Sequence, residues 1–163
     1  MELKQNDMPV VFLQPGEYYI SRKPEIIVTV LGSCVSVVLY SKESDVCGIT
    51  HSQLPSCSYG SECCRRCDES YRYTDCSIIR LVQKMEESKI DIKTLGAKVF
   101  GGAGLIASNS AVKDKIGRRN IEVALGTLAK EGIKVISRDT GGSKGRKLFL
   151  NSKTKEVLIK KLQ

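Results

Sequence analysis

Two periods alternate along the chain. Residues 26–30 (IIVTV), 35–40 (VSVVLY) and 46–50 (VCGIT) are short runs dense in β-branched side chains and bounded by turn formers, the composition of strands. They follow one another closely enough to be read as hairpins. Residues 56–73 interrupt the pattern with a polar stretch carrying four cysteines, read as an irregular loop. Helical spacing then begins: Thr74 or Asp75 is placed to cap a helix in which Ile78, Ile79, Val82 and Met85 recur on one face. Residues 98–100 return to a strand that ends in a turn at Gly101 and Gly102, where φ is unrestricted. Asn120 is an N-cap candidate for a second helix with Ile121, Ala124, Leu125 and Leu128 on one face and Gly132 as its C-terminal glycine. Residues 133–137 (IKVIS) make a strand, Gly141 and Gly142 a turn, and the remainder a hairpin around residues 152–155. The sum is an α/β class: a layered sandwich with a mixed, largely antiparallel sheet and two main helices.

Length and composition narrow the picture. The 163 residues suit one domain, 1–163, and 41% hydrophobic against 27% charged residues is a globular balance. No apolar run is long enough for membrane insertion, and the N-terminus lacks the basic, apolar and small-residue parts of a secretory signal, so a cytoplasmic location is expected. In that compartment seven cysteines, irregularly spaced, fit free thiols, a metal site or a catalytic thiolate better than a disulfide framework. A net charge of +8 favours an acidic partner. Nucleic acid is not expected, because the basic residues are scattered without interleaved aromatic side chains for base stacking.

The candidate chemistry sits early. Cys34 follows Gly32 and Ser33, and His51, the single histidine, lies seventeen residues on. If the second and third strands pair antiparallel across the loop 41–45, partners sum to 86 and Cys34 faces Ser52; a loop one residue shorter sets Cys34 directly opposite His51. Either way the two are neighbours. An imidazole beside a thiol can take its proton, and the thiolate attacks carbonyl carbon. Gly32 allows a tight turn and leaves backbone N–H groups bare near the sulfur, where an oxyanion forms. Thr29 is the candidate to orient the histidine, since a hydroxyl can accept from or donate to a ring nitrogen. The bland alternative is a core cysteine beside a structural histidine.

Three further signals compete. The stretch 102–107 (GAGLIA) matches a dinucleotide fingerprint but lacks the second strand and acidic residue that should follow, and 141–146 (GGSKGR) lacks phosphate-loop spacing. Cys57, Cys63, Cys64 and Cys67 either form a zinc site or remain redox-sensitive free thiols, while Cys47 and Cys76 read as core. No cofactor is otherwise expected.

These segments also resemble a known family. TVLGSCVSVVLY, GITHSQLP, YTDCSIIRLVQKM, AKVFGGAG, IGRRNIEVALGTL and RDTGGSKGRK occur in the order found in CheD, the chemoreceptor glutamine deamidases of bacterial and archaeal chemotaxis, and the likeness covers nearly the whole chain. The resemblance implies Cys34 as nucleophile, His51 as general base and Thr29 as its orienting residue. It implies hydrolysis of glutamine side chains on the cytoplasmic helical bundle of chemoreceptors, through a thioester and with loss of ammonia. A methylesterase side activity and binding to the phosphatase CheC are implied as well, as is a fold similar to the catalytic domain of cytotoxic necrotizing factor and a variable character for 56–73. One departure is visible: family members with a longer TLGLGSC stretch carry the threonine six positions before the cysteine, where this chain has Val28. The competing function is a non-catalytic regulatory partner of CheC or of receptors.

Overall fold

The computed structural model describes residues 7–104 and 111–163, with the side chains of 61, 63 and 111–114 outside that description. Nine strands form among them: β1 (Val10–Phe12), β2 (Tyr18–Ser21), β3 (Ile26–Leu31), β4 (Val35–Ser41), β5 (Cys47–Thr50), β6 (Leu95–Gly101), β7 (Lys134–Thr140), β8 (Arg146–Asn151) and β9 (Val157–Lys161). The helices are α1 (Ser61–Arg66), α2 (Thr74–Glu87) and α3 (Ala111–Lys130).

The strands build two sheets. One has the order β1-β3-β8-β9, the other β2-β5-β4-β6-β7. Both are mixed and largely antiparallel, with β1–β3 and β6–β7 as the parallel pairs. Adjacent residues of β4 belong to different layers. Val35, Val37 and Leu39 pack under α2 and α3 with Ile78, Leu81, Met85, Ala124 and Leu128. Val38 and Tyr40 face the other sheet, against Ile27, Leu31, Leu148 and Leu150. Both faces of β4 are therefore buried, which is why its sequence is a nearly continuous apolar run. The layers run helices, five-stranded sheet, four-stranded sheet.

Several expectations require correction. The runs at 26–30 and 35–40 do not pair with each other: β3 pairs with β8 and β4 with β5 and β6. Between β4 and β5 the partners sum to 87, as in Tyr40 with Cys47, neither of the two registers expected. The turn explains the shift, because the Ser41 hydroxyl accepts from the Glu43 amide and the Ser44 hydroxyl from the Val46 amide, drawing Val46 out of the strand. Residues 56–73 are not irregular throughout but hold α1 and a 3-10 turn at Ser70–Arg72. Tyr73, not Thr74 or Asp75, is the N-cap of α2. Asn120 is not a cap, since α3 already begins at Ala111. Cys76 is buried as expected but is joined to Cys64 in a disulfide.

Candidate active site

His51 follows β5 directly and its backbone is held from both sides by the β1–β2 connection. Its amide donates to the Glu17 carbonyl at 3.0 Å and its carbonyl accepts from the Gly16 amide at 2.8 Å. Gly16 has φ +81°, a left-handed turn that suits glycine. The ring points between the sheets, where Nδ1 lies 2.7 Å from Thr29 Oγ1. Thr29 shares the inward face of β3 with Ile27 and Leu31, whereas Val28 points the other way. The five-residue spacing to Cys34 thus delivers the hydroxyl to the histidine.

Thr29 also fixes which nitrogen carries the proton. Its hydroxyl donates to the Leu13 carbonyl at 2.8 Å, and a hydroxyl has a single hydrogen to give. Toward His51 it can only accept, so Nδ1 bears the hydrogen and Nε2 keeps its lone pair. Nε2 is buried and has no hydrogen-bond partner among the described residues. Burial depresses the His51 pKa from 6.5 to about 4, with Glu17 opposing weakly. The imidazole is neutral at pH 7, with an unoccupied basic nitrogen.

Cys34 precedes β4 and is half-buried, packed against the inter-sheet cluster. The bridge between Val35 and Ser52 continues the β4–β5 register and sets Cys34 diagonally from His51, on the same face. No hydrogen bond joins Sγ to Nε2. Burial pushes the thiol above its ordinary value, partly offset by a hydrogen bond from its own amide. The resting pair is therefore thiol and neutral imidazole.

The turn that carries the sulfur is clamped through its carbonyls. Gly32 O accepts from Ala103 N at 2.9 Å and Cys34 O from Gly102 N at 2.8 Å. Ser33 O accepts from Asn120 Nδ2 at 2.9 Å. With all three carbonyls tied down, the amides of Gly32 and Ser33 have no acceptor among the described residues and are left for an oxyanion, while the Cys34 amide is engaged by its own sulfur. Gly101 and Gly102 make this closeness possible, with φ of +105° and +70°. A Cβ on Gly101 would collide with the Cys34 carbonyl, and one on Gly102 with the Ile121 side chain. Helix α3 approaches the same turn backbone to backbone at Gly117, where a Cβ would stand 2.7 Å from Ala103 O. One turn later Asn120, fully buried, also donates to Gln53 O at 3.1 Å, linking the cysteine turn to the segment after His51. That link was missed in the sequence, although Ile116, Asn120, Ala124 and Leu128 form a stripe at four-residue spacing that places the asparagine inward.

A cleft of about 330 Å³ on the four-stranded-sheet side reaches Thr29 and His51 between Phe12, Pro15, Val30 and Lys147. Elsewhere, Cys64, Cys76 and Asp75 gather their ligand atoms within 4.8 Å of one another. The side chain of Cys63 and residues 105–107 of the GAGLIA stretch lie outside the described residues. In the GGSKGR stretch Arg146 is buried and pairs with Asp139, pinning a turn.

The family described as CheD chemotactic sensory transduction matches residues 55–161. The chain belongs to the CheD family. It is similar to the "Probable chemoreceptor glutamine deamidase CheD 2" of Geobacter sulfurreducens, 38% identical over 99% of this chain and 96% of the relative. The "Probable chemoreceptor glutamine deamidase CheD" of Rhodospirillum rubrum is 37% identical over 97% of this chain and 85% of its own length. That of Thermococcus kodakarensis is 35% identical over 90% and 89%. Among solved structures, a Bacillus licheniformis hypothetical protein, YfiH, is similar at a TM-score of 0.46 and 14% identity, over 77% of this chain and 49% of that one, a likeness too slight to build on. No helix among the described residues of this CheD-family chain is long and apolar enough to cross a membrane.

Proposed function

We propose that this CheD-family protein is a chemoreceptor glutamine deamidase in which Cys34 is the nucleophile, His51 the general base and Thr29 the residue that orients it. The observation that carries this reading is the Thr29–His51 contact at 2.7 Å, which leaves Nε2 basic, buried and unpartnered on the face shared with Cys34. The names of the relatives point to the same substrate class.

In the reaction, Sγ attacks the side-chain carbonyl carbon of a glutamine while its proton passes to His51 Nε2. Negative charge on the carbonyl oxygen is met by the free amides of Gly32 and Ser33. The C–N bond then breaks, and Nε2–H protonates the leaving nitrogen as ammonia, leaving a thioester on Cys34. Water attacks the thioester with Nε2 as base; the C–S bond breaks, glutamate is released and the thiol is restored. A glutamyl methyl ester fits the same acyl chemistry with methanol as leaving group, the basis for a methylesterase side activity. Cytoplasmic receptor helices are the proposed substrate and CheC a proposed partner, and a fold similar to that of cytotoxic necrotizing factor belongs to the same reading, as does a single domain over 1–163.

The test is mass spectrometry of a cognate receptor cytoplasmic fragment incubated with the protein. Gain of about 1 Da at defined glutamines, absent with Cys34→Ala and His51→Ala, is the expected result. Stable binding to receptor or CheC without conversion would replace this reading with a non-catalytic regulatory partner.

A further inference from the structure

Five of the seven cysteines fall between residues 57 and 76, and the catalytic reading uses none of them. Two, Cys64 on α1 and Cys76 in the first turn of α2, are 1% and 0% exposed and joined as a disulfide. The Asp75 carboxylate completes a triad of ligand atoms lying within 4.8 Å of one another. Asp75 is held in place, because its Oδ1 accepts from the Cys76 amide at 2.7 Å and the Cys57 amide at 3.2 Å. Both bonds fall on one oxygen and leave Oδ2 its lone pairs. The second bond places the backbone of Cys57, a free cysteine, beside the cluster, although its sulfur is not among the atoms within 4.8 Å and must rotate in to join them.

We infer that, once the disulfide is reduced, Cys64, Cys76 and Asp75 bind a thiophilic divalent metal of the zinc type, with Cys57 as the fourth ligand. Thiolate and carboxylate are the donors such a metal takes in tetrahedral geometry, with bonds of about 2.0–2.3 Å and therefore ligand–ligand edges of roughly 3.8 Å at most. The triad's ligand atoms lie within 4.8 Å of one another, so side-chain rotation once the disulfide opens is enough to bring them to that spacing. Three thiolates and a carboxylate around a dication leave net negative charge. Arg65 and Arg66 in the last turn of α1, and Arg80 donating to the Arg65 carbonyl, supply compensating cations. The metal would take over the tie between α1 and α2 that the disulfide makes in the oxidised chain. The same first turn of α2 holds the segment after His51, through Thr74 and Ser77 on Leu54 and Ser52, so the cluster braces the catalytic strand without entering the chemistry.

Reduction by a phosphine in water breaks the S–S bond, oxidises the phosphine to its oxide and yields two thiols. Metal binding then displaces the thiol protons. The experiment uses full-length protein reduced in this way under anaerobic, metal-free conditions and titrated with Zn²⁺ against a chromophoric chelator. One Zn²⁺ per chain is expected, with affinity reduced at least about 100-fold in Cys64→Ser and Cys76→Ser and about 10-fold or more in Asp75→Asn and Cys57→Ser. Cys34→Ser and the oxidised protein serve as controls: the first binds as the native chain does, the second does not bind. Because the cysteine variants can fail to fold, peptide-mapped alkylation of the native reduced chain gives a second readout, in which Zn²⁺ protects Cys57, Cys64 and Cys76 but not Cys34. Absence of stoichiometric binding, binding that vanishes in Cys34→Ser, or alkylation of Cys64 and Cys76 unchanged by Zn²⁺ would overturn the inference.

Discussion

At the scale of single residues, His51 sets the pH behaviour. Its folded pKa, about 4, lies below the ordinary 6.5, so between those values the unfolded chain binds a proton that the native chain does not. Stability contributed by the buried neutral ring is present above pH 6.5 and is lost as pH falls through about 4. At about 1.4 kcal/mol per pKa unit the loss amounts to roughly 3 kcal/mol. Denaturant melts across pH 4–7 should show it, and His51→Gln should flatten the curve. Activity should fall on the same acid limb, as protonation of Nε2 removes the base. Thr29→Val removes the acceptor that fixes the tautomer and should lower kcat by roughly 10- to 100-fold with little change in KM, while Thr29→Ser, which keeps the hydroxyl, should retain most of it. A purely structural role for Thr29 would instead leave kcat unchanged or lower it equally in both variants.

At the scale of elements, the site is where α3, the glycine turn after β6 and the turn before β4 press together. Asn120 sits mid-helix, where asparagine is a mediocre helix former, yet it is wholly buried and spans two loops. Asn120→Leu should cost about 2–3 kcal/mol, since it strands the Ser33 and Gln53 carbonyls. Gly101→Ala should shift the Cys34 carbonyl and depress activity more than stability. Paired thermal melts and deamidation rates check both. Much of this was legible in the sequence: the β-branched runs, the C-terminal hairpin and Gly101, Gly102 and Gly132 all fall where local chemistry indicated. What escaped was long-range or cooperative. The partner of β3 is β8, with Ile26 beside Asn151, a pairing no local pattern announces. The β4–β5 register slipped because serine side chains reshaped the turn, and Asn120 looked like a cap because capping is its commonest use near a helix start. Cys34 and His51 nevertheless ended on one face, since a register summing to 87 makes them diagonal neighbours.

For the molecule as a whole, 26 basic against 18 acidic residues set up a positive field that accelerates encounter with acidic helices and is screened by salt. The deamidation kcat/KM should therefore fall several-fold between about 0.05 and 0.5 M salt, with kcat nearly constant. The two sheets also meet at His51, for Thr29 belongs to the four-stranded sheet and His51 extends a strand of the five-stranded one. The hydrogen bond between them works as a caliper on the gap between layers. Leu148 stands beside Thr29 in the β3–β8 register with its side chain in that gap. Leu148→Ala should cost about 2–5 kcal/mol and loosen the caliper, so that on warming the variant stops turning over before its circular-dichroism transition begins. The sandwich core is then a component of the catalytic apparatus, and substitutions far from any substrate will be felt first as lost rate and only later as lost fold.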